Sequence, residues 1–265
     1  MAKRKKYNLK TDESIVIDNH KLFRVVAVKD FGKVKTGDLG GWIASEANLS
    51  HEGACWVTDE AMVYGNAVVC DDAIISGSAR VYCTAKTMFC NSSSYSDGNE
   101  WRPTAAKVCG CSTVSDHATV RGMTICYNSH LRDNAVLEGR ARLWNSTVCD
   151  DATVRDWANV ANGHISEKAL VEDHARIDGR TNPTVSSFGV KYPTTKIHGT
   201  AIIYGDAKIF GSAEVFGKAR VSGKACVYHG AVVSGDAWLH GKTQLYKDIS
   251  TGEYSAGKIF AFGCC

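Results

Sequence analysis

From Ala201 to Gly241 the chain reads AIIYGDAKIFGSAEVFGKARVSGKACVYHGAVVSGDAWLHG, with alanine at Ala201, Ala207, Ala213, Ala219, Ala225, Ala231 and Ala237. An aliphatic residue follows each alanine two positions later: Ile203, Ile209, Val215, Val221, Val227, Val233 and Leu239. A period of six does not suit a helix, whose turns of about 3.6 residues would spread these positions around the axis. A strand puts residues two apart on one face, so the alanine and the aliphatic point inward and the residue between them points out. The remaining residues, usually including glycine, must turn the chain. Short strand plus corner, repeated at a fixed period, predicts a parallel β-solenoid.

The same small-x-aliphatic rule indexes the rest of the chain. A first block runs through Ile43, Leu49, Val57, Val63, Val69, Ile75 and Val81 to Thr87, with Gly41, Ala47, Cys55, Ala61, Ala67, Ala73, Ala79 and Ala85 as small partners. In the middle block the large positions advance by 6, 6 and 5 residues, so Val114, Leu131, Val148 and Ile165 fall 17 apart. That spacing gives three sides per coil, a triangular cross-section, and about ten coils over residues 41–245. Two stretches break the register, 88–110 and 178–194, and their turn-forming residues predict protruding loops. Residues 1–40 hold a tail and a β-hairpin turning near Asn19 and His20, which is expected to cap the first coil. Residues 246–265 are expected to fold back as a C-terminal cap, covering strand edges that would otherwise aggregate. Each inward aliphatic contributes about 1.5–3 kcal/mol gross, while backbone ordering costs about 1–2 kcal/mol per residue. A lone coil does not break even, so stability has to come from stacking.

Composition narrows the classes. Lys and Arg total 31 against 28 Asp and Glu, a formal charge of +3, which is too balanced to point to nucleic acid. The basic run Ala2 to Lys6 reads as a solvated tail. No apolar run approaches the roughly 18 residues of a membrane helix and no signal-peptide pattern is present, so a cytoplasmic protein with reduced thiols is expected. Eleven cysteines, an odd number, argue against a complete disulfide framework, and several, such as Cys55 and Cys126, fit inward slots for a small apolar group.

With its hexapeptide register the chain resembles the hexapeptide-repeat superfamily, and the resemblance implies a left-handed parallel β-helix. Handedness comes from the resemblance alone, because ordinary parallel crossovers are right-handed. The head GDLGGWIASEANLSHEGACWVTDEAMVYGNAVV, Gly37 to Val69, looks like the YdcK-like group of bacterial and phage proteins, labelled acyl- or acetyltransferases. Transferases of the superfamily are typically homotrimers that bind acyl-CoA between neighbouring prisms and use a histidine as general base. No resident cofactor is expected beyond acetyl-CoA as the acyl donor of an enzyme.

Candidate residues follow from placement. His117, just past the first loop, and His198, just past the second, are the candidate catalytic bases. His130 and His164 share an outward column with Thr113 and Thr147, but lie two coils, roughly 9.6 Å, apart, too far for one metal ion. Around the first loop, Cys109 and Cys111 are too closely spaced for a zinc knuckle, and Cys83 and Cys90 are distant in sequence, so no metal site is expected. Trp101 and Arg102, within NEWRP, suit stacking on and charge-pairing with a small anionic, nucleotide-like ligand. Tyr204, Phe210, Phe216, Tyr228 and Tyr246 follow inward positions and mark a subunit interface, with three of them spaced 18 apart. Neither long loop contains a histidine. A non-catalytic protein that binds or sequesters a small anionic ligand or a host protein is therefore the leading reading. Acyl-CoA-dependent transfer is the alternative, and a purely structural role the third.

Overall fold

The computed structural model describes residues 5–83, 105–180, 184–186, 189–191, 193–255 and 257–259. It is all-β apart from a short 3-10 turn at Glu46–Asn48, and it divides into two compact units. The first comprises residues 1–128 with 138–140, the second 129–137 with 141–265.

Each unit is built from three parallel sheets, one per side of a three-sided coil. In the first unit Leu39–Ile43, Met62–Gly65, Arg80–Cys83 and Thr119–Arg121 pair in parallel on one side. Trp56–Val57, Ile74–Ile75 and Thr113–Val114 form the second side, and Val68–Val69, Lys107–Cys109 and Ile125–Tyr127 the third. The second unit repeats this scheme. There His130 pairs with Thr147 and Thr147 with His164, the expected 17-residue step, whereas Ile202, Arg220 and Trp238 stack at 18.

The inward positions are buried as the period requires, with Ala61, Val63, Ala141, Leu143, Ala213 and Val215 all fully inaccessible. Ala47 is the exception. The 3-10 turn leaves it exposed and carries Asn48 inward, where its Nδ2 donates to Gly65 O at 3.0 Å and Ala67 O at 2.8 Å. Two backbone carbonyls thereby gain a donor that alanine lacks. Thr87 and Ala85 lie outside the described residues.

Corners need a left-handed residue. In the last block glycine supplies it, as at Gly217 with φ +73, where an added Cβ would stand 2.9 Å from Gly235 O. Elsewhere aspartate does so: Asp59, Asp71 and Asp150 have φ of 55, 58 and 58. Each also accepts a hydrogen bond from a backbone N–H one coil on, at Gly77, Gly110 and Glu167 respectively, all at 2.9 Å. Aspartate tolerates this conformation because its short carboxylate bonds locally.

The hairpin is present as expected. Tyr7–Ile17 pairs antiparallel with His20–Ala27 around Asp18 and Asn19, both at positive φ, and the second strand pairs antiparallel with Leu39–Ile43. Leu22, Trp42 and Tyr64 form its core. Three expectations are corrected. Lys6 is not solvated tail; it is fully buried and its Nζ donates to Cys55 O at 2.8 Å. The register resumes inside the expected loop 88–110, since Lys107–Cys109 is a strand, and 184–186 and 189–191 form a hairpin within 178–194. The described residues beyond 245 do not fold back: Glu253–Tyr254 and Lys258–Ile259 pair in parallel with Trp238–Leu239 and Gln244–Leu245 and so wind further, and residues 260–265 lie outside the described residues.

Candidate functional site

One corner of the second unit gathers the titratable side chains. Lys196 is the outward residue of Thr195–Ile197, and His198 follows that strand at the turn. Backbone pairing with Glu214–Val215 brings the next coil alongside, and His198 N donates to Val215 O at 3.0 Å. This register sets three groups around the His198 imidazole. Its ring stacks on Phe216 at 5.0 Å between centroids and 4° between planes. Nε2 lies 2.9 Å from Glu214 Oε1, and Nδ1 lies 3.8 Å from Glu167 Oε1. The stack fixes the ring plane and Glu214 fixes one nitrogen. If Nε2 carries the proton toward Glu214, Nδ1 presents its lone pair, and 3.8 Å is too long for a hydrogen bond to occupy it.

His164, one coil before, pairs through its strand with Lys196. Burial, then the positive charges of Arg132 and Lys196, hold its pKa below the ordinary 6.5, with Asp150 opposing. His164, Lys196 and His198 thus lie on neighbouring coils of one side.

The other candidates are placed differently. His117 is exposed at a corner of the first unit, and among the described residues no hydrogen bond orients its ring. Trp101 and Arg102 lie outside the described residues. His130 and His164 stand in the expected column with Thr147 between them. Of the five aromatics, Phe210, Tyr228 and Tyr246 stack as a ladder, with centroids 5.5 and 4.7 Å apart. Burial and a hydrogen bond with Cys226 push the Tyr228 hydroxyl up to about 12. Phe216 instead serves His198, and Tyr204 follows Ile202–Ile203 at a different corner.

The sequence reading missed His240, whose Nε2 lies 2.9 Å from Glu253 Oε1 and whose ring sits 4.6 Å from Trp238. It also missed the carboxylates of His198. Glu167 and Glu214 precede it by 31 residues and follow it by 16, so only the coil register reveals them.

No family model matches the chain. Over 76 residues it is 37% identical to an Escherichia coli K12 protein described as the uncharacterized acetyltransferase YdcK. That match covers 27% of this chain and spans 23% of the relative's length. The chain thus shares partial homology with YdcK, and its parallel β-solenoid is consistent with the hexapeptide-repeat superfamily.

Proposed function

We propose that the protein transfers an acyl group from acyl-CoA to a hydroxyl or amine acceptor, with His198 as general base. The observation that carries this reading is the His198 imidazole held between Glu214 and Glu167 on the face of Phe216. The name of the partial relative supports it over simple sequestration. In the reaction the imidazole takes the acceptor proton as the acceptor oxygen or nitrogen attacks the thioester carbonyl. The tetrahedral intermediate then collapses, the carbon–sulfur bond breaks, and the imidazolium returns its proton to the departing CoA thiolate. Glu214 stabilises the imidazolium between those steps. Lys196, two residues before His198 on the strand that leads to it, supplies positive charge suited to a CoA phosphate.

The test is acetyl-CoA turnover with simple hydroxyl and primary amine acceptors, with CoA and acetylated product followed by mass spectrometry. His198→Asn should lower kcat by about 10²–10⁴-fold, with little change in KM. Glu214→Gln should lower kcat less, because it removes the orienting charge and keeps the shape. Turnover indifferent to His198→Asn sinks the mechanism. Saturable binding of acetyl-CoA returned unchanged, weakened by Trp101→Ala or Arg102→Ala, would restore the sequestering reading.

A further inference from the structure

Val69 and Val108 pair across neighbouring parallel strands, and the residue after each is a cysteine at the coil corner. Cys70 N donates to Val108 O at 3.0 Å, which holds the two corners in step. Their thiols share a hydrogen bond. Asp71 completes the group: one ligand atom from each of Cys70, Asp71 and Cys109 can be chosen so that all lie within 4.8 Å of one another. Asp71 is held in place by the corner itself, with φ 58 and Oδ2 accepting from Gly110 N at 2.9 Å. Cys109 is 4% exposed, Cys70 is half-buried and Asp71 is exposed, so the sulfurs are sheltered and the approach is from solvent.

We propose that Cys70, Asp71 and Cys109 bind a thiophilic divalent cation such as Zn²⁺, with water as its fourth ligand. Two sulfurs at about 2.3 Å and one oxygen at about 2.0 Å from a tetrahedral ion stand about 3.8 Å (S to S) and about 3.5 Å (S to O) apart. Side-chain movements of about 1 Å therefore close the site, and the backbone need not move. The hydrogen bond between the two thiols holds the sulfurs close, and a cation that replaces it displaces their protons. Gly110 N–H orients the carboxylate, as outer-shell donors do at metal sites. Corner aspartates recur through the fold, but among the described residues only this group joins two thiols to one. Cys111, the neighbour that the sequence spacing singled out, has an exposed side chain outside the group.

The experiment is a Co²⁺ titration of the reduced, metal-free full-length protein. A thiolate-to-cobalt charge-transfer band of two-sulfur intensity should rise to one cobalt per chain and bleach when Zn²⁺ is added. Cys70→Ser and Cys109→Ser should each abolish that two-sulfur band. Asp71→Asn, which keeps a carbonyl for Gly110 N–H, should weaken Co²⁺ binding at least about tenfold. Cys111→Ser and Cys226→Ser should leave the titration unchanged. The proposal is overturned by a two-sulfur band that survives Cys70→Ser or Cys109→Ser, by a plateau below one cobalt per chain, or by the absence of a charge-transfer band in the wild type.

Discussion

At the scale of single residues, the same corner position does different work according to the side chain that occupies it. After Ile197 it holds an imidazole between two carboxylates, and after Val69 a thiol against a second thiol. Neither property belongs to the residue alone. His164 shows this best. Burial and the charges of Arg132 and Lys196 lower its pKa, so the unfolded chain binds its proton more readily than the folded one. Its contribution to stability is fully present above the unfolded value of 6.5 and is lost as pH falls through the lowered folded value. His51, stacked on Tyr7 in the first unit, is lowered by burial and adds to the same trend. The melting temperature should therefore drop between about pH 7 and about pH 5, and His164→Gln should flatten that drop. An unchanged slope in both His164→Gln and His51→Gln would show that other groups set the acid limit.

Among the elements, strands of two or three residues cannot hold themselves, and each is kept by the coils before and after it. The small-x-aliphatic rule works because one inward side has room for only one large residue. Lys107–Cys109 was legible on that rule, since Ala106 and Val108 obey it and Val108 lies six before Val114; turn-forming neighbours obscured it. The coil beyond Leu245 follows Gly252 with Tyr254 and Gly257 with Ile259, at steps of five that the six-residue register passes over. Corners are where substitution should tell. Gly217→Ala puts a Cβ at φ +73 and 2.9 Å from Gly235 O, and should cost about 1–2 kcal/mol or more. Chemical denaturation would read that as a lower midpoint with the slope unchanged. A loss no larger than that of Ala at an exposed outward position would mean the corner relaxes freely.

For the molecule as a whole, the aromatic ladder of Phe210, Tyr228 and Tyr246 is the surface on which we expect a second copy to sit in a homotrimer. Light scattering should give three times the chain mass for the wild type and a smaller particle for Tyr228→Lys. An unchanged mass would make the ladder packing within one chain. What the sequence determined by itself was the fold class, the three-sided coil, its inward residues and the N-terminal hairpin, because these repeat at a local period that every coil enforces. The same period placed the column of His130, Thr147 and His164 and the aromatic ladder. Tertiary structure decided which outward and corner residues meet across breaks in the register or between different positions of neighbouring coils. Glu214 reaches His198 across 16 residues, and Cys109 reaches Cys70 across 39, the latter spanning an inserted segment of irregular length. The period fixes which face a side chain takes, but stacking fixes its neighbour one coil away, and chemistry depends on that neighbour.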